Sequence, residues 1–282
     1  MPSVTIDGRT MHYQDLGEGF PLLLGHSFLW DSRMWGPQLE LLSQHFRCIV
    51  PDLWSHGQSE PVSSGDLSIA RLAEDHHALM QHLKLDRYSV VGMSVGAIWG
   101  AKMAMEYPDE VASLVMLDSY LGSETQEHAA DYIELLSIVK QMGEVPAAVI
   151  DAISRIFFSM ETQDRHPALV ETFRFDLMFL APEQVNGIVA MGEQIFRRES
   201  LMHRIQDIKC PTLIMVGDGD LARPVSESEE MYNSLPGSQF AVIENAGHMA
   251  CIEQSSQVNH LLANFLSAID GVELDLSELV LV

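Results

Sequence analysis

Tyr88-Ser89-Val90-Val91-Gly92-Met93-Ser94-Val95-Gly96-Ala97 is the stretch that decides the fold. A short apolar run ends in glycine-x-serine-x-glycine, and a helix expected from about Val95 to Glu106 begins at once. Strand, sharp turn and helix within ten residues put a serine on a strained backbone at the tip of a strand, hydroxyl outward. The flanking glycines leave room for the turn, because side chains there would meet neighbouring backbone. The helix start behind the serine offers free N–H groups and a positive dipole end to a developing oxyanion. The five-residue pattern alone is a weak signal; the strand before it and the helix after it give it weight.

Outward from this turn the same alternation recurs. Upstream lie the apolar run Leu22-Leu23-Leu24, a helical stretch near Ser32–Gln44, the run Cys48-Ile49-Val50 and a helix near Ile69–Leu83. Downstream comes Leu114-Val115-Met116-Leu117. Two β-like runs open the chain, Ser3–Ile6 and Thr10–Tyr13, with Asp7-Gly8 between them as a hairpin turn. Strands that read as continuous apolar runs belong to a parallel sheet covered on both faces.

From about Gly122 to Ser200 the strands stop. Ala129–Met142, Pro146–Phe158, Pro167–Leu180 and Pro182–Arg197 show helical spacing, with proline at three of the starts. The alternation resumes with Thr212–Val216, a helix near Ser226–Ser234, Phe240–Ile243 and a helix near Gln257–Ile269. The expectation is therefore an α/β core at 1–121 and 201–270. An all-helical cap at 122–200 is inserted after the sixth strand, and insertions of that length commonly act as lids. The tail at 271–282 carries Leu274, Leu276, Leu279 and Leu281 and has two readings, packing on the body or on a partner.

A serine hydroxyl needs a base to become a nucleophile. Of the twelve histidines, His248 stands in Asn245-Ala246-Gly247-His248-Met249, between the last predicted strand and the last helix. That loop falls at the carboxyl edge of a parallel sheet, the edge that carries Ser94. His76 and His77 are adjacent on a helix and cannot both face one site. The acid that orients the base is sought at the same edge. Gly217-Asp218-Gly219-Asp220 supplies two aspartates; Asp220 is preferred, with Asp218 as a turn-former, and Asp118 is a third option because it too follows a strand. The order serine, acid, histidine is the order expected of the nucleophile-elbow fold. Gly25-His26-Ser27-Phe28 follows another strand, so the backbone N–H groups of Phe28 and Val95 are the candidate oxyanion donors.

From about Val4 to Ile269 the chain resembles the α/β-hydrolase superfamily, specifically its compact bacterial esterase-like members with a helical cap. The likeness rests on Leu24–Phe28, on Asp52-Leu53-Trp54-Ser55-His56-Gly57-Gln58-Ser59, on the elbow, on Gly217–Asp220 and on Gly247-His248. It implies an α/β fold with a mostly parallel eight-stranded sheet, helices on both faces, and a mostly structural role for Asp52–Ser59. It also implies hydrolysis of an ester, thioester, lactone or amide through an acyl-enzyme, without metal or organic cofactor. Two departures stand out: Ser27 and Ser55 occupy positions where the family usually has glycine.

The apolar residues Trp30, Phe157, Phe158, Met178 and Met249 are candidates for a substrate pocket, on the premise that the cap shapes an apolar acyl site. Arg155 and Arg174 are weighed as binders of a substrate carboxylate against ordinary surface pairing. The expected reaction is cleavage of a carboxylic ester of a small to medium, largely apolar substrate. Alternatives are an acyl-homoserine-lactone hydrolase, a carbon–carbon (diketone) hydrolase, and a ligand-binding receptor on the same fold.

Composition narrows the partners. Sixteen basic residues against forty acidic ones give a formal charge of −24, which disfavours nucleic acid and anionic membrane surfaces. At 47% hydrophobic and 20% charged residues, a large core is expected and disorder is not. Cys48, Cys210 and Cys251 lack paired spacing and read as buried free thiols. The start, Met1-Pro2-Ser3-Val4, has no basic patch leading into an apolar stretch, so a cytoplasmic monomer or homodimer is the expectation.

Overall fold

The apolar runs form eight strands: β1 (Ser3–Ile6), β2 (Arg9–Leu16), β3 (Phe20–Gly25), β4 (Phe46–Pro51), β5 (Tyr88–Met93), β6 (Val111–Leu117), β7 (Thr212–Gly217) and β8 (Gln239–Ile243). They are seen in a computed structural model that describes residues 2–270. The tail at 271–282, with both of its readings, lies outside the described residues. The strands join in one sheet of order β1-β2-β4-β3-β5-β6-β7-β8. β2 runs antiparallel to β1 and β4, and every other pairing is parallel. All positions of β5, β6 and β7 are buried, which is why these strands read as unbroken apolar runs.

The first helices are α1 (Gly36–Leu42), α2 (Ile69–His82) and α3 (Val95–Glu106). Between β6 and β7 run five more: α4 (Gln126–Met142), α5 (Ala147–Phe157), α6 (Met160–Arg165), α7 (Pro167–Met178) and α8 (Pro182–Ile195). α9 (Val225–Ser234), α10 (Ala250–Glu253) and α11 (Ser255–Asp270) complete the chain. α1 packs on α11, and α2 packs on α3.

One helix expected as a single piece is divided near a proline, and one short helix, α6, lies unforeseen between two expected ones. Ser32–Gln44 becomes a 3-10 turn at Ser32–Trp35 and then α1, whose first turn holds Pro37. Ahead of α7, His166 takes an extended φ of −126° because Pro167 bars it from helical geometry; α6, capped by the Ser159 hydroxyl, ends there.

The register aligns the carboxyl ends of five strands. Gly25 pairs with Gly92, Met93 with Leu117, Leu117 with Met215 and Gly217 with Ile243. The segments after β3, β5, β6, β7 and β8 therefore leave the sheet side by side along one rim. β3 and β5 are neighbours although the chain visits β4 between them, so they form the switch point where parallel sheets open a crevice. The helical insertion leaves and returns at one place, where the Leu201 N–H donates to the Leu121 carbonyl at 2.7 Å.

Candidate active site

Ser94 sits at φ +53°, a region that costs a non-glycine residue about 1–3 kcal/mol and that surrounding contacts must hold. Its N–H donates to Leu117 of β6 at 2.9 Å, and its carbonyl accepts from Ala97 and Ile98 of α3. A side chain at Gly96 would overlap the Gly25 backbone, so the elbow can press against β3 only with glycine there.

His248 and Asp220 arrive from the neighbouring rim loops. His248 Nδ1 lies 2.9 Å from Asp220 Oδ2, and Nε2 lies 3.0 Å from Ser94 Oγ. With Nδ1–H donating to the carboxylate, Nε2 is left to accept the serine proton. The other Asp220 oxygen accepts from the N–H groups of Ala222 and Arg223, which fixes the carboxylate plane. His248 and Asp220 are buried and Ser94 is half-buried, so the hydroxyl is the reachable end of the chain. Asp218 accepts from the Ala246 N–H and pins the two loops together. Asp118 accepts from Gly217 and Ala250, so its oxygens are occupied away from the imidazole.

The loop after β3 has its own supports. The N–H groups of Ser27, Leu29 and Trp30 donate to Met34 Sδ, His56 Nε2 and the Ser27 carbonyl. Among the described residues the Phe28 N–H meets no protein acceptor. The Val95 N–H is the first of α3 and precedes the helix's own hydrogen-bond ladder. The Ser27 hydroxyl reaches the Phe28 carbonyl at 3.4 Å and leaves the Phe28 N–H untouched.

His26 and His56 are the loop's struts, and sequence reasoning assigned neither a role at the site. His26 Nε2 accepts from Leu53 N–H and its Nδ1 faces the Ser27 carbonyl; His56 Nε2 accepts from Leu29 N–H and its Nδ1 faces the Trp54 carbonyl. Burial holds both below the usual histidine range, His56 down to about 3. Asp52 completes the frame by accepting from Ser32 and Gln58. The usable signal was the run Asp52–Ser59, whose polar residues crowd between β4 and α2.

Ser55, one of the two departures from family pattern, has φ +67° and its hydroxyl accepts from Val62 N–H at 2.8 Å. Gly187 of α8 lies directly above, and any Cβ there would overlap the Ser55 hydroxyl.

Ser94 and His248 open on a cavity of about 50 Å3 whose wall includes Phe28, Tyr132, Phe157 and Phe196. These four rings also line a second, wholly apolar cavity of about 60 Å3, bounded by Leu135 and Val139 of α4 and Val149 and Ile153 of α5. Phe157 thus faces the site, 5.1 Å from the His248 ring. The other four pocket candidates stand elsewhere. Trp30 stacks on Phe173 and faces a separate cleft of about 390 Å3 that also holds Arg33 and Asp176. Phe158 is buried against the same two rings, Met249 is fully buried, and Met178 is 54% exposed. Adjacency to a site residue, or helical spacing, does not say which apolar side chain meets a void. Arg174 pairs with Asp151 and Glu171, and neither it nor Arg155 lines the Ser94 cavity.

Three charged residues that the sequence did not single out do line it. Arg198 and Arg223 both grip the Glu124 carboxylate, and all three are buried. Burial pushes Glu124 up, but the two guanidiniums outweigh it and hold the carboxyl below its ordinary range. Glu124 and Arg198 sit on the two stems of the helical insertion, while Arg223 follows Asp220. The cluster therefore ties the insertion to the loop that carries the acid. Of the cysteines, Cys48 and Cys251 are buried as expected and Cys210 is partly exposed. Among the described residues no helix is long and apolar enough to cross a membrane.

A family profile described as alpha/beta hydrolase fold matches residues 21–255. The chain belongs to the α/β-hydrolase family. This α/β hydrolase is 26% identical to a protein of Escherichia coli named putative carbamate hydrolase RutD, over 83% of its own length and 86% of the relative's. Among solved structures it resembles a thermophilic esterase from Thermogutta terrifontis, with a TM-score of 0.86, 28% identity and coverage of 95% and 97% of the two chains. It also resembles Est816, described as an N-acyl homoserine lactone degrading enzyme, with a TM-score of 0.78, 25% identity and coverage of 94% and 100%.

Proposed function

We propose that this α/β hydrolase is a serine esterase that cleaves carboxylic esters of small to medium, largely apolar acyl groups through an acyl-enzyme. The observation that carries the reading is the unbroken chain from Ser94 Oγ through His248 to Asp220, with contacts of 3.0 and 2.9 Å. His248 takes the Ser94 proton as the hydroxyl oxygen attacks the ester carbonyl. The Phe28 and Val95 N–H groups receive the oxyanion. His248, its charge balanced by Asp220, returns the proton to the departing alkoxide. A water molecule then repeats the sequence and frees the acid. The helical insertion serves as the cap, and the apolar cavity between α4 and α5 supports an apolar acyl group.

A second reading, opening of an acyl lactone, draws support from the likeness to Est816 and from the same geometry, since a lactone is a cyclic ester. A fluorophosphonate probe should label the wild-type chain at Ser94 and leave Ser94→Ala unlabelled. A panel of p-nitrophenyl esters, acyl lactones and vinylogous diketones should show highest turnover on the esters. Wild-type protein that neither takes the label nor turns over any ester would sink the proposal.

A further inference from the structure

The tripeptide that closes β6 touches every segment that carries the Ser94–His248–Asp220 chain. The Leu117 carbonyl accepts from the Ser94 N–H at 2.9 Å, and the Ser119 hydroxyl donates to the Ser94 carbonyl at 2.8 Å. Between them, Asp118 splits its carboxyl group. Oδ1 accepts from Gly217 N–H at 2.8 Å, on the strand that leads into Asp220, and Oδ2 accepts from Ala250 N–H at 3.3 Å, two residues past His248. Its own N–H donates to Met215 of β7. Asp118 is fully buried and holds φ +48°, a left-handed geometry that aspartate and asparagine tolerate better than other side chains.

We propose that Asp118 is a positioning residue that, with Ser119, sets the distance between the Ser94 hydroxyl and the imidazole of His248. One short side chain joins the two loops that carry His248 and Asp220, and the neighbouring residue locks the elbow to the same point. The chemistry of the position follows from its two partners. Both are N–H donors, so two acceptor oxygens are required. Asparagine satisfies one and turns a donor toward the other; alanine satisfies neither. Burial, then the charge of Asp220, push the Asp118 carboxyl well above its ordinary range, and the N–H groups of Gly217 and Ala250, which favour the carboxylate, oppose that push.

The proposal rests on Ser94 being the nucleophile, and its test separates the two. Fluorophosphonate titration counts competent serines, and ester turnover is then expressed per titrated site. Asp118→Asn should titrate near one site per chain, keep KM within about twofold and lose about 10- to 100-fold in kcat, the scale of an ångström-sized misplacement. Asp118→Ala should lose more, so that asparagine is a partial rescue. Where Asp118→Asn fails to fold, Ser119→Ala carries the test and should lose about 3- to 10-fold in kcat per site, in line with one lost hydrogen bond. Wild-type kcat per titrated site in the folded variant overturns the positioning role. Wild-type protein that does not titrate at all overturns the reading of Ser94 instead.

Discussion

The rim of the sheet and the helical insertion meet at one cavity but are built in opposite ways. At the rim, carboxylates accept from backbone N–H groups, some in their own loop and some in others: Asp52 from Ser32 and Gln58, Asp118 from Gly217 and Ala250, Asp218 from Ala246, Asp220 from Ala222 and Arg223. Across the cavity the insertion contributes mostly rings and aliphatic side chains, with Tyr132 stacked on Phe196 at 4.5 Å and Phe157 over His248. Directional bonds fix where atoms react; apolar walls fix what fits. Substitutions at the rim should therefore act on kcat for all substrates, and substitutions in the insertion should redistribute activity among them.

The sharpest way to break that division is at the acid. Asp220→Asn keeps the shape but presents an amide to His248 Nδ1 and disturbs its tautomer. A loss on the order of 10^3- to 10^4-fold in kcat is expected, with similar loss on short and long acyl esters. A loss confined to one chain length would mean that Asp220 acts through the pocket.

The next effect concerns the two struts. His26 and His56 are neutral when folded, because each Nε2 faces an N–H and burial disfavours charge, so their folded pKa lies below the unfolded value of 6.5. Below pH 6.5 the unfolded chain binds protons that the folded chain refuses, so their stabilising share, fully present above that pH, is lost as pH falls. For His56 alone the loss between pH 7 and 5 is about 2 kcal/mol. Urea melts at the two pH values should show this slope, and His56→Gln should flatten it by about that amount. An unchanged slope would place the pH sensitivity elsewhere.

The smallest effect tests the insertion. Ile153→Trp fills the apolar cavity without touching the wall around Ser94. Turnover of hexanoate or octanoate esters should fall roughly tenfold, the scale of a few lost apolar contacts, while acetate is spared. An equal fall on acetate would show that the two cavities do not divide the work.

The same division governs how much could be read from the residues. Ser94, His248 and Asp220 were legible because each lies at or in the loop just past the end of an apolar run, and in a parallel sheet that places all three on one rim. The places of Phe28 and Val95, after β3 and at the start of α3, followed from the same pattern. Trp30 and Met178 were not legible, because an apolar residue near a loop or on a helix stripe looks alike whether it faces core, solvent or a void. Glu124, Arg198 and Arg223 were silent because their meeting depends on how the insertion folds back between its stems. The break ahead of Pro37 shows a third limit: apolar periodicity runs through a proline that the backbone cannot follow.

Ser55 and Gly187 form a dovetail between sheet rim and insertion: the tongue is a hydroxymethyl group and the slot is a missing one. Ser55 holds a backbone angle that glycine would adopt without cost, and in exchange its side chain fills the slot. A glycine at 55 would relieve that angle but open a gap under α8 and strip the Val62 N–H of its acceptor, and an alanine at 187 set in that gap would still press on the Val62 carbonyl. The absent side chain at 187 thus sets how low the insertion can seat over the sheet, and the hydroxyl at 55 fills the space that this leaves.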